Sequence, residues 1–271
     1  MSRTQLSWIG FGTATSHFPY GKEKAALFSI GNILASVLCR SEAFLRCVFW
    51  LTVKLLGRWS WVPLHVKTAA TSFLQPVGGI HSSCGVSSIT WLTYSLVHRE
   101  HSFDEITGVA FAILGLLLIS SLAAFPLVQH LHHNLFERFH HFAGWVALAL
   151  LWALVILTTS YNPLDKSYNV RRSSLVEKEE FWFTVVIMLV VIFPWVCLRR
   201  VPVKVSAPSN HASLIKFAGR IEAGILGRIS RSPLSEWHAF GIISDRKEEH
   251  MMLAGAVGDF TQGLVSQPPT H

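Results

Sequence analysis

Four long apolar runs dominate the middle of the chain, at roughly 80–98, 106–127, 139–160 and 181–198. Each approaches or exceeds the ~20 apolar residues that a helix needs to cross a bilayer core. The first run is the most dilute, carrying Ser82, Ser83, Ser87, Ser88, Thr90 and Thr93. Small and hydroxyl residues of this kind suit close packing between helices in a bundle. The polar breaks are informative too. Arg99 to Glu105 is short, so the first two runs read as an antiparallel pair. Pro126 ends the second run, and Ser160-Tyr161-Asn162-Pro163 is a turn signal after the third. The loop over 163–180 balances basic and acidic residues and reads as a solvated external loop. The fourth run carries Pro194 and stops at Arg199-Arg200.

On either side of these runs the pattern changes. Ala26 to Leu56 is apolar but broken by Arg40, Glu42, Arg46 and Lys54. A charge at the centre of a membrane helix costs about 2.5–3.5 kcal/mol. The segment therefore reads as a helix lying in the membrane interface, with a fifth span as the alternative. Residues 57–79, with Trp59, Trp61, Pro63, His65 and the Gly78-Gly79 break, read as a connection hugging that interface. After Arg200 come VPVKV, HASLIKF, LGRIS and WHAFGII, short and partly alternating runs that predict β-strands. Three regions follow: an N-terminal interfacial region over 1–79, a transmembrane all-α bundle over 80–200, and a small, incomplete β-rich domain over 201–271.

Composition agrees. Hydrophobic residues make up 51% of the chain and charged residues 14%, with a mean hydropathy of +0.40. Soluble domains carry about 25% charged residues, so the expected partner is the lipid bilayer, not nucleic acid. The ten tryptophans suit helix ends at an interface. Residues 1–26 lack the pattern of a secretory signal. The four cysteines form no CxxC pair, so neither a disulfide framework nor a thiolate metal site is expected. Four spans would place the N-terminus, the turn before the third run and the C-terminus on one side. That side holds eight Lys and Arg before residue 80, Arg138, and nine after residue 198, out of 23 in all. The bias predicts a multi-pass protein with both termini cytosolic.

The chemistry concentrates in HLHHNLFERFHHFAGW, His130 to Trp145, where His130, His132, His133, His140 and His141 fall between two apolar runs. Imidazole is a common metal ligand. His81 opens the first run on the same side, so His81 and either His140 or His141 share a depth as candidate ligands. His140 and His141 lie about 100° apart around a helix, and only one of them can face His81. Each of these also has a bland reading as an interfacial or hydrogen-bonding histidine. His98 and His101 close the first run at the opposite end and read as surface residues.

Two further stretches carry a resemblance. Trp237-His238-Ala239-Phe240, followed by Gly258-Asp259-Phe260-Thr261-Gln262-Gly263-Leu264, resembles the flavin-binding barrel of ferric reductases and NADPH oxidases. Phe136 to Trp145 is similar to the helix start at which that family carries a haem-ligating histidine. Gly78–Cys84 and His133–Trp145 resemble stretches of fungal, ferric-reductase-like integral membrane proteins of the TmpA type. The resemblance covers roughly residues 30–265. It implies FAD held by Trp237, His238, Phe240 and Thr261, and haem b ligated by His81 with His140 or His141. In two places the chain departs from the family pattern: Ala239 replaces a proline, and Gly241 replaces a hydroxyl residue.

The same resemblance sets limits. Family members stack two haems, with a second histidine about four turns deeper on each ligand helix. Here those depths hold Trp152, Ala153, Leu154 and Val155 on one helix and Thr93, Tyr94 and Ser95 on the other. At most one haem per chain is therefore expected. The family continues into a nicotinamide-nucleotide domain, and a Gly-rich phosphate loop of that kind is not read before His271. The expected function is a membrane oxidoreductase component that moves electrons from a cytosolic flavin or NAD(P)H donor to an acceptor at the membrane. The alternatives are a non-catalytic membrane protein descended from a reductase, and a His-box di-metal hydroxylase or desaturase.

Overall fold

The computed structural model describes residues 21, 23–57, 61–98, 104–125, 127–128, 133–162, 165, 167–169, 172–219, 225–232, 235, 237–244 and 249–267. The chain divides into two units, Met1–Pro194 and Trp195–His271.

In the first unit, helices cover all four apolar runs. They are α4 (Val77–Val97), α5 (Asp104–Ala123), α6 (His133–Ser160) and α8 (Glu179–Val196). α5, the Arg138–Ser160 stretch of α6, and α8 are each long and apolar enough to cross a membrane. α4 has 21 residues, but its serines and threonines keep it out of that group. Those hydroxyls are not left bare. Ser82, Ser88, Thr90 and Thr93 each donate to a carbonyl three or four residues back in α4 itself.

The run expected to form one interfacial helix over Ala26–Leu56 is two helices. α1 (Ala25–Leu38) ends in a turn at Cys39–Arg40, and α2 (Glu42–Thr52) restarts with Ser41 as its cap, accepting from the Phe44 N–H at 3.4 Å. Glu42 in the first turn of α2 complements the helix dipole. α2 buries no residue and runs into a single π-helical turn, Val53–Gly57. α3 (Leu64–Leu74) follows Pro63.

α1 does not lie apart from the bundle. Ser29 Oγ donates to the Ser88 carbonyl at 2.9 Å, and Ser36 Oγ donates to the His81 carbonyl at 3.0 Å. Seven residues up α1 match seven residues down α4, so the two helices are antiparallel. Buried Ser87 and Ser88 give α1 room to approach closely. Two apolar clusters hold the rest together. Ile30, Leu148, Leu151, Val155 and Ile187 join α1, α6 and α8. Leu92, Ile106, Ala110, Ile113 and Leu154 join α4, α5 and α6.

These contacts define two ends. The C-terminus of α1 and the N-termini of α4 and α6 share one of them. At the other, Lys24 Nζ meets Glu179 at 3.4 Å, and Tyr168 donates to Glu105 at 3.4 Å. The external loop there holds a two-stranded pair, β1 (Tyr161–Asn162) and β2 (Ser167–Tyr168), and a short α7 (Arg172–Val176).

The second unit is one antiparallel sheet of five strands in the order β3-β4-β7-β6-β5. The strands are β3 (Val203–Ser209), β4 (Ala212–Ala218), β5 (Leu226–Ile229), β6 (His238–Ser244) and β7 (Glu249–Gly255). α9 (Asp259–Ser266) packs on one face through Leu264, which joins Ile215, Ile242, Met252 and Ala254 in the core. β3 to β6 match the four runs read from the sequence. β7 was not among them, because its apolar positions, His250, Met252 and Ala254, include a histidine and an alanine. The sheet curls: a Cβ on Gly227 in β5 would fall 2.5 Å from Met252 Cε in β7, two strands away. Ile215 is the largest fully buried apolar side chain in this core. Ile215→Ala should cost about 2–5 kcal/mol of stability in this unit. Proteolysis of 203–266 within the full chain, followed against denaturant, measures it; an unchanged midpoint would mean that the core is not closed around Ile215.

Candidate functional site

The end of the first unit that carries the N-termini of α4 and α6 gathers the candidate ligands. His81 lies one turn into α4 and is half-buried. Its Nδ1 is 2.9 Å from the Ser36 carbonyl oxygen and 2.9 Å from Ser36 Oγ. A carbonyl only accepts, so the proton sits on Nδ1, and Nε2 keeps its lone pair. That carbonyl is available because α1 ends there. Arg40 N–H bonds to Val37 O at 3.0 Å instead of reaching back four residues. Ser36 thus offers one of the orphan carbonyls that every helix C-terminus must satisfy elsewhere. Fixing a ligating histidine through its other ring nitrogen is how proteins set the tautomer at metal sites.

His140 stands near the start of α6, half-buried, with its ring 5.4 Å from the Phe136 ring. Its Nδ1 is buried and has no hydrogen-bond partner. Thr107 Oγ1 and Trp152 Nε1 in the same bundle are buried in the same way. His140 lies within electrostatic range of His81 and of Arg40. His141, the next residue, is exposed.

Each candidate ligand has a glycine one turn further along its helix. Gly85 lies four residues after His81, and Gly144 four residues after His140, each on the same face as its histidine. A Cβ on either glycine, or on Gly78, would meet nothing within 4 Å. Free Nε2 on His81, orphaned Nδ1 on His140 and the two open glycine positions fit a bis-histidine haem. His98 is elsewhere, exposed at the C-cap of α4, stacked on Tyr94 at 4.1 Å. His101, His130 and His132 lie outside the described residues, as does the side chain of His133. Among the described residues, no group of three or more His, Cys, Asp or Glu is placed to hold a metal ion. Deeper in α6, Leu154 and Val155 are buried in the apolar clusters.

In the second unit the structure brings the two halves of the other motif together. His238, the first residue of β6, stacks on Phe260 of α9 with ring centroids 4.1 Å apart and planes 12° apart. The Arg231 guanidinium lies over the outer side of Phe260 at 5.5 Å. Phe240 packs against the core, and Trp237 is half-buried just before the strand. Thr261 is buried, and its hydroxyl is fully engaged. It accepts from the N–H groups of Val257 and Gly258, each at 3.1 Å, and donates to the Gly258 carbonyl at 3.0 Å. The site reading missed Ser36 and the open glycines. Ser36 lies 45 residues from its partner, and only the antiparallel pairing of α1 with α4 exposes it.

Trp237, His238, Phe240 and Thr261 therefore do not line one open face. His238 is covered by Phe260, and Thr261 has no hydrogen left to donate. These residues as placed do not fit a flavin ring, and no step is assigned to one. Thr261→Ala should remove the turn that starts α9 and cost about 0.5–2 kcal/mol, the usual range for a lost helix cap. Thr261→Ser should retain most of it. Equal stability of the two variants by denaturant titration would contradict this role.

No family model matches the chain. It is 32% identical over 251 residues to adenylate-forming reductase 03009 of Coprinopsis cinerea, and 29% identical over 252 residues to adenylate-forming reductase 06235 of the same fungus. Each alignment takes in 89% of this chain and 24% of the relative. The chain thus spans about a quarter of the length of the curated relatives it matches.

Proposed function

We propose that this chain is a membrane-embedded electron-transfer component of a reductase system, holding one haem b between His81 and His140. The observation that carries the reading is the complementary state of the two imidazoles. His81 has its Nδ1 proton tied to Ser36, leaving Nε2 free, while His140 has a buried Nδ1 with no partner. The relatives support the reductase half of the reading, since each is called an adenylate-forming reductase. The resemblance to ferric reductases supports the haem half. α5, α6 and α8 would cross the bilayer, with α4 as a fourth crossing shielded by α1 and α5.

Within this reading each residue has a defined task. Ser36 holds the His81 ring in one orientation and one tautomer. Gly85 and Gly144 leave the faces of α4 and α6 flat. Arg40, whose charge reaches both imidazoles, would meet an anionic edge of the bound group. When bound, haem supplies a one-electron relay. The electrons would come from a separate cytosolic flavin or NAD(P)H donor, and the His-bearing end of the bundle would face the cytosol. One ligand pair limits the chain to one haem, because Leu154 and Val155 occupy the depth of a second.

A visible spectrum of the detergent-purified full chain tests this. A single Soret-absorbing group per chain is expected, lost in His81→Ala and in His140→Ala, and retained in His98→Ala. Gly144→Leu should also lose it while far-UV circular dichroism stays helical, because the new side chain fills the open face. Two haems per chain would overturn the ligand assignment. Protein with no absorbing group after haem supplementation would favour a non-catalytic descendant of a reductase.

A further inference from the structure

The sheet of the second unit has one face that nothing among the described residues covers. Successive side chains on a strand point to opposite faces, and α9 takes the face bearing Ile215, Ile242 and Met252. On the other face, register aligns Lys204, Lys216, Met251 and Ile243 in one row across four strands. The next row runs Ser206, Leu214 and Leu253. Leu226 is 63% exposed, Leu253 53% and Ile243 51%. This is a contiguous apolar strip, not scattered surface residues.

The charges bordering the strip are mostly basic, Lys204, Lys216 and Arg228, with one exposed carboxylate, Glu249, at the start of β7. Lys204 and Lys216 are directly opposite on adjacent antiparallel strands, and both are exposed. Like charges in this position repel. Neither lysine has an acidic partner among the described residues. An anion bridging the two would turn that repulsion into a favourable contact.

The chain also limits where this face can go. Only residues 197–202 separate Val196, the last of α8, from Val203, the first of β3. That spacing reaches at most about 25 Å, and it contains Arg199-Arg200.

We propose that this sheet face rests on an anionic phospholipid surface. Leu226, Ile243 and Leu253 enter the boundary between headgroups and acyl chains, and Lys204 and Lys216 pair with anionic headgroups. Charge complementarity and the short tether select lipid over a soluble protein partner. The inference rests on the reading of α8 as a membrane span.

The test uses the full chain in lipid nanodiscs of phosphatidylcholine, with or without phosphatidylserine. Native cysteines are replaced, and an environment-sensitive fluorophore is placed through Leu253→Cys or, as a control on α9, through Ser266→Cys. The Leu253→Cys probe should shift to the blue and be quenched by spin-labelled lipid in phosphatidylserine discs. That quenching should fall several-fold in phosphatidylcholine discs and in Lys204→Glu/Lys216→Glu. The Ser266→Cys probe should remain in water throughout. A Leu253→Cys probe quenched by iodide in every disc would overturn the proposal. Shielding without lipid quenching would also overturn it, assigning the face to protein, including a second copy of this chain. Lipid quenching indifferent to the two lysines would do the same. Alkaline extraction is run alongside: a chain released by it has no span, and the bundle reading fails together with this one.

Discussion

The bundle depends on how α1 and α4 meet. Apolar surface alone does not fix how two helices register, so polar contacts and close packing specify their pairing. Here the pairing is set by Ser29 against Ser88 and Ser36 against His81. Hydrogen bonds of this sort in membrane proteins contribute only about 0.6–2 kcal/mol each. Their value is directional: they fix which face of α4 meets α1 and at what height. A slip of one residue would carry His81 about 100° around its helix and leave the Ser36 carbonyl without a donor.

That one contact reaches into the candidate site. α1 stops where it does because Arg40 bonds to Val37, and the stop frees the Ser36 carbonyl. The freed carbonyl accepts a hydrogen bond from the Nδ1–H of His81. The end of one helix thereby selects the tautomer of a residue on another. His140 is the counterpart, a buried ring nitrogen for which the fold supplies no partner. One imidazole is thus fixed through Nδ1 with Nε2 left over, and the other has a buried Nδ1 with no partner.

Much of this architecture was legible as hydropathy. The four apolar runs became helices within a few residues, because long apolar stretches between turn signals leave few other choices. The strands after Arg200 were legible for the same reason, through their alternation. What failed to show is as instructive. The break at Cys39–Ser41 was masked by apolar residues on both sides, and only Ser41 followed by Glu42 signals a new helix start. β7 was hidden because its buried positions are His250, Met252 and Ala254, a composition that does not look like a strand. His81 and His140 were readable as residues, but the reason to separate His140 from His141 came only from the half-buried placement of one and the exposure of the other. Ser36 could not be found at all without knowing that α1 runs back along α4.

The two units differ in what they do with their polar groups, and the difference locates the chemistry. In the second unit the motif residues contact one another and the backbone. Thr261 spends its hydroxyl on three backbone groups, His238 stacks on Phe260, and Arg231 covers the same ring. A group so engaged has already made the contacts a ligand would need, and opening them costs what the ligand must return. In the first unit His140 Nδ1 is buried without a hydrogen-bond partner, and His81 is held through Nδ1 alone. Leaving a buried polar group unsatisfied costs about 1–3 kcal/mol, a cost recovered only by a partner at His140 Nδ1 itself.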